Sequence, residues 1–315
     1  VYKTKNYPNT SGWPQISISY WVNKTSSVST NNGIIANGFN GATNINATTY
    51  NNLTFAPTSN GITYTLGTAL AQTIHINGNW TLGNNSNSLL VTNSSYNATI
   101  NVGGNLVLQL VNGSFTKSTS ATITLKPTGT KTWTDSSTTV QDIGNVTIGS
   151  GASTPKITLG SNVKVTTLTI NASHEFDMLT RTMTLTGTGT SFTPTGTFTP
   201  STGTVIYGIS SGNVNVAATT YNNLSLINSG SGLTYRFGTA AGQTINVNDL
   251  TIGFGGISMT ADNNTNDANI NIAGNLLINS SVTFTKSDAA PKIITFKPAG
   301  SKTWTANNTP AQDIG

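Results

Sequence analysis

The sequence predicts an all-β protein wound as a parallel β-solenoid. Three observations predict it: a composition built for strands, a long internal repeat, and a strand–corner–strand motif inside each copy. Threonine is about one residue in five and asparagine about one in eight. Val, Ile and Thr alternate with polar residues, the period of a strand with one buried face. Charged residues are only 7% of the 315, against about 25% in an average soluble domain. Glu175 is the single glutamate, and Arg181 and Arg236 are the only arginines, so good helix formers are scarce. The hydrophobic content of 35% is too high and too regularly placed for a disordered chain.

The repeat is long. Ala47-Thr48-Thr49-Tyr50-Asn51-Asn52-Leu53 returns as Ala218-Thr219-Thr220-Tyr221-Asn222-Asn223-Leu224. Lys131-Thr132-Trp133-Thr134 returns as Lys302-Thr303-Trp304-Thr305, and Gln141-Asp142-Ile143-Gly144 as Gln312-Asp313-Ile314-Gly315. The offset is about 171 residues. Ser114-Phe115-Thr116-Lys117-Ser118 matches Thr283-Phe284-Thr285-Lys286-Ser287 at an offset two shorter, a small loop deletion. This divides the chain into a non-repeated segment 1–32, a first repeat 33–203, and an incomplete second repeat 204–315.

Inside each copy, two alternating apolar residues are followed by a short gap and then two more. Ile74 and Ile76 precede Trp80 and Leu82; Ile100 and Val102 precede Leu106 and Leu108. Ile245 and Val247 precede Leu250 and Ile252; Ile270 and Ile272 precede Leu276 and Ile278. The gaps hold residues such as Asn77-Gly78-Asn79 and Gly103-Gly104-Asn105, which tolerate the positive φ of a corner. Each motif therefore reads as strand, corner, strand, with four side chains facing one interior. Apolar anchors near Leu53, Trp80, Leu106, Leu125, Val146, Leu168, Leu185, Ile206 and Leu224 give about 21 residues per turn and about eight turns per repeat. The whole chain then makes about 14 turns, a right-handed rod about 65–70 Å long. Tandem β-sandwiches of about 85 residues are the rival architecture.

Gly203-Thr204-Val205-Ile206-Tyr207, Thr219 to Leu226, and Gln243-Thr244-Ile245-Asn246-Val247 resemble the repeats of large prokaryotic β-solenoid surface proteins, the adhesin-like and filamentous-haemagglutinin-like group. The resemblance spans about residues 33–315. It implies an extracellular, non-enzymatic, structural or adhesive role, and it brings no catalytic residue or cofactor.

The two ends differ from the rest. Tyr2, Tyr7, Trp13, Tyr20 and Trp21 crowd residues 1–32. They read as a cap on the rod or as a docking segment, since aromatic residues favour interfaces. Gly315 matches Gly144, after which the first copy continues with another turn. The expectation is a chain processed or cut from something longer, or an end with Gln312 and Ile314 on which a second copy stacks. Such a head-to-tail contact does not close and generates a filament. The partner expected is the chain itself; the alternative is an adhesin stalk or tip that binds glycans or other cell surfaces.

Other chemistry reads weakly. The cysteine count is zero, so there is no disulfide or thiolate-metal framework. No apolar run is long enough for a membrane helix. The net charge of +5 comes from scarce acids, and the lysines are scattered, unlike a nucleic-acid-binding face. His174-Glu175-Phe176-Asp177 is the one dense titratable cluster, with Glu175 and Asp177 expected on the solvent face; no zinc motif accompanies it, and the protein is read as no enzyme. Asp262 to Asp267 resembles a calcium loop in composition but lacks its glycine and distal glutamate, making Asp262 and Asp267 weak ligands. Sequons, among them Asn46, Asn79, Asn97, Asn145 and Asn223, leave glycosylation open at a number that chance supplies. Lys126 and Lys131 recur as Lys297 and Lys302, near Trp133 and Trp304; they read as stems lying over the aromatic rings, with a Lys–Asn isopeptide crosslink to the region of Asp142 or Asp313 as a further option.

Overall fold

The computed structural model describes residues 34–37, 43–149, 155–286, 294–308 and 313–314. Their regular elements are all strands, and the strands pair only in parallel, each with the strand one turn above or below. Hairpin-built sandwiches are thereby excluded, because they need antiparallel neighbours.

Three strand columns form the wall. Column one stacks Ile34–Asn37, Leu53–Pro57, Trp80–Gly83, Leu106–Gln109, Lys131–Asp135, Lys156–Leu159, Glu175–Asp177 and Thr197–Thr199. Column two begins with Thr43–Ile45, Ile62–Leu66, Leu89–Thr92 and Ser114–Thr116. Column three stacks Thr49–Tyr50, Thr73–Ile76, Thr99–Val102, Thr122–Leu125, Asn145–Ile148, Thr167–Ile170 and Phe192–Pro194.

The interior is one continuous core. Alternation puts every second side chain inward, so Ile74, Ile76, Trp80 and Leu82 are all buried around one corner. Register then stacks large side chains on smaller ones. Column one runs Leu53, Trp80, Leu106, Trp133, Leu159 up the axis, alternating a branched aliphatic residue with an indole. Large over small is the packing that fills a shared lumen without voids.

Turn length departs from the expectation. Stacked partners lie 27 residues apart at Leu53↔Trp80 but 19 apart at Ile157↔Phe176. The described residues make about ten complete turns, not fourteen. The sequence spacing was too short because its anchors fall in different columns: Leu106 lies in column one and Leu125 in column three of the same turn. At about 4.8 Å per turn the described rod is about 50 Å long.

The corners also differ from their reading. Gly103 and Gly104 do not adopt positive φ. They are small because the turn below passes close: a Cβ on Gly103 would collide with the Asn77 carbonyl. The neighbouring asparagines tie levels together. Asn52 Oδ1 accepts from the Asn79 N–H (2.8 Å), Asn79 Oδ1 from the Asn105 N–H (2.9 Å), and Asn105 Oδ1 from the Thr132 N–H (2.8 Å). A corner breaks the regular ladder, and this file of amides satisfies the backbone donors it would orphan.

The second copy is rotated relative to the first. Column two continues upward through the Asp142↔Lys164 bridge into Val163–Val165, Thr182–Leu185 and Thr204–Ile209. Column three continues through Gly189↔Val214 into Asn213–Val216 and Leu233–Phe237. Column one continues where Tyr221 covers Phe198, with ring centroids 6.2 Å apart. Thr204–Ile209 is the repeat equivalent of Ile34–Asn37, yet it stands in column two. Seven levels separate them, plus one column. The copy of about 171 residues therefore spans seven and a third turns, about 23 residues each. At one level of the second copy the corner between columns one and two is shortened. Asn248-Asp249 replaces Asn77-Gly78-Asn79, and Thr244–Ile252 runs through it as one strand.

Candidate functional site

The acid-rich stretch is a structural clamp. Lys156 Nζ sits 2.9 Å from Glu175 Oε1 and 2.8 Å from Asp177 Oδ2. Asp177 is buried, against the expectation of a solvent face, because the Pro200–Gly203 corner folds over it and Ser201 Oγ donates to its carboxylate (3.0 Å). Burial alone would push that carboxyl up. Hydrogen bonds from Lys156, the Leu179 N–H and Ser201 outweigh it and hold Asp177 below the usual carboxylate range. The same two carboxylates hold the Lys156 ammonium above its ordinary value. A general acid needs the opposite, a carboxyl kept protonated. His174 is a buried corner residue, its Nδ1 2.9 Å from the Ala172 carbonyl, with its ring where a Cβ on Gly149 would lie.

Asp262 folds its own loop. Its Oδ1 accepts from the Asn264 and Thr265 N–H groups, its Oδ2 accepts from Thr265 Oγ1 (2.5 Å), and Arg236 Nε lies 3.6 Å away. Asp267 takes the left-handed conformation, φ 45°, as does its counterpart Asn97, φ 48°. The described residues contain no cluster of three metal-ligating side chains. The sequon asparagines have structural duties. Asn79 belongs to the corner file; Asn97 Oδ1 accepts from Ser118 Oγ (2.8 Å); Asn145 Oδ1 accepts from Thr167 Oγ1 (3.0 Å); Asn223 Nδ2 donates to Thr204 Oγ1 (3.3 Å); the Asn46 carbonyl accepts from Tyr50 Oη (3.0 Å). Tyr2, Tyr7, Trp13, Tyr20, Trp21 and Gln312 lie outside the described residues. Ile314 is buried in the core, as its counterpart Ile143 is.

Asp142 is met by Lys117, not by Lys126 or Lys131. Lys117 Nζ lies 2.5 Å from Asp142 Oδ2 and 2.6 Å from Thr166 Oγ1. Thr186 Oγ1 donates to Asp142 Oδ2 (2.7 Å), so the network spans four successive levels of column two. The second copy repeats the ion pair, Lys286 Nζ to Asp313 Oδ2 at 2.5 Å.

Two further surfaces lie among the described residues. The first is the last described level. In the first copy, Asn145–Ile148 covers Thr122–Leu125 and Lys156–Leu159 covers Lys131–Asp135, leaving Leu125 and Trp133 1% exposed each. In the second copy, Phe296 is 40% and Trp304 52% exposed, their rings stacked 5.4 Å apart. The Asp313 side chain is 70% exposed against 17% for Asp142.

The second surface is an open groove of about 360 Å³ on column one, where the second copy meets the first. Pro200 and Ser201 wall one end and Lys297 the other. Between them the outward row Thr220, Asn246, Asn271 stands in register, with Asn222 and Asn248 beside it. No helix among the described residues is long and apolar enough to cross a membrane. No protein-family profile, no curated protein and no solved structure matches this chain.

Proposed function

We propose that the chain is a structural section of an extracellular surface fibre that grows by end-to-end stacking of solenoid turns. The docking partner is a second copy, seated on the level of Phe296 and Trp304. One observation carries this reading: every described turn pairs in parallel register with the next around one continuous core, so a further turn from a second copy can extend the stack by the same rule. The first copy supplies the pattern of what fits: alternating Val and Ile over Phe296, a leucine over Trp304, and threonine hydroxyls at Asp313, as Thr166 and Thr186 serve Asp142. A contact between unlike faces propagates without closing. A non-enzymatic role is supported by the engagement of both Glu175 and Asp177 with the one Lys156 ammonium. Electron microscopy of the purified chain over a concentration series tests the proposal. Filaments that vanish in Trp304→Lys support it; isolated rods at every concentration overturn it.

A further inference from the structure

We infer that the column-one groove binds an extended oligosaccharide along the rod axis, with an acidic sugar at the Lys297 end. The groove crosses five levels, from Ser201 through Thr220, Asn246 and Asn271 to Lys297. That is about 19 Å at the spacing of stacked strands, the length of a short sugar chain rather than a single ring.

Its chemistry selects among ligands. Asn271 Nδ2 donates to Asn246 Oδ1 (2.8 Å), and this orients both amides. The Asn246 amide protons and the Asn271 carbonyl oxygen are left pointing away from that bond, one donor and one acceptor at successive levels. A sugar hydroxyl is both donor and acceptor, so a chain of them answers such a row. The first copy has the same row as Thr49, His75 and Asn101, but there Asn101 Nδ2 pairs with His75 Nδ1 at 3.3 Å. The wall of Pro200 and Ser201 belongs only to the junction between copies, where Ser201 takes φ 46°.

Other ligand classes fit less well. A peptide added as a strand needs free backbone groups, and the groove strands are paired on both sides, Thr244–Ile252 between Thr220–Asn228 and Asn269–Ile272. A single-stranded nucleic acid needs exposed rings for stacking and several cations. Tyr221 is buried with its ring in the core, and Lys297 is the only charged lining residue among the described residues. That lone ammonium places a carboxylate at one end of the sugar chain.

The test uses the full chain and two probes, a mannuronate tetrasaccharide and neutral cellotetraose, each titrated to about 10 mM by calorimetry and by NMR of the asparagine side-chain amides. The expected result is tighter binding of the uronate chain, with shifts at Asn246 and Asn271. The double variant Asn246→Ala/Asn271→Ala should weaken both by about tenfold or more with an unchanged circular dichroism spectrum. Lys297→Gln should erase the preference between probes. No binding of either probe, or wild-type affinity in the double variant, overturns the site; a preference that survives Lys297→Gln overturns the placement of the acidic sugar. Both outcomes are independent of filament formation.

Discussion

Trp133 and Trp304 offer one perturbation in two environments. They occupy the same repeat position, one 1% and the other 52% exposed. An indole buries about 200 Å², and about 25 cal/mol per Å² makes full burial worth about 5 kcal/mol. Trp133→Ala should therefore destabilise by about 5 kcal/mol, at the upper end of measured aromatic truncations. Trp304 has about half of its surface covered, so Trp304→Ala should cost about 2.5 kcal/mol. The assay is urea unfolding at low protein concentration, followed by circular dichroism. Neighbouring turns are the unit of coupling in a solenoid, so the comparison uses the midpoint of the transition that each variant shifts. Equal losses would refute the reasoning, because they would mean that Trp304 is as fully covered in solution as Trp133. Repetition at high concentration adds a second reading: if a second copy seats on Trp304, the cost of its removal should rise towards that of Trp133.

Asp142→Ala removes a carboxylate shared by Lys117, Thr166, Thr186 and the Gly144 N–H, and should cost about 1–2 kcal/mol after allowance for the part-exposed lysine. Asp313→Ala, at a 70% exposed carboxylate, should cost below about 0.5 kcal/mol; comparable losses would show that the levels above Asp142 do not matter. Burial pushes the Tyr50, Tyr64 and Tyr207 hydroxyls up to about 12 and raises Tyr221 and Tyr235 as well. Since the unfolded chain releases these protons near pH 10, their contribution is complete below pH 10 and lost as pH climbs towards 12. Circular dichroism should therefore show unfolding in that window together with the ionisation of these five tyrosines followed by ultraviolet absorbance, and a folded chain with Tyr50, Tyr64 and Tyr207 ionised would refute the assignment. Asn105→Ala removes the acceptor of the exposed Thr132 N–H, which water can replace, and should cost about 0.5–1 kcal/mol in the same urea assay, whereas a neutral effect would remove the corner file from the stabilising interactions. The intact mass should equal that of the sequence, because the Asp142 partners include no second carboxylate to relay a proton; loss of one water per repeat would reveal a Lys117–Asp142 amide.

The alternation of Ile74, Ile76, Trp80 and Leu82 carried the strand–corner–strand unit into the sequence plainly, because burying one face of a strand demands period two. Column identity was not legible. All three columns use the same Thr, Val and Ile alphabet, and only a one-residue change at a corner, Asn248-Asp249 for Asn77-Gly78-Asn79, marks where the wall is reshaped. The corner asparagines were visible as residues but not as a file, since the Asn79 to Asn105 bond joins positions a whole turn apart. The Lys117–Asp142 clamp did leave a signal: both members recur, one turn apart, as Lys286 and Asp313. The groove left none, because Pro200 and Ser201 come to close one end of the Thr220, Asn246 and Asn271 row only once the second copy has shifted by a column.

That shift decides what such a chain shows to its surroundings. A whole number of turns would line up equivalent side chains along one flank, and the rod would have a front and a back. With a third of a turn left over, the exposed loop at Leu70 and its counterpart at Ala241 look out in directions a third of a circle apart. Two adjacent copies cannot press the same feature against one flat plane. The two copies therefore offer the same side chains to different parts of their surroundings.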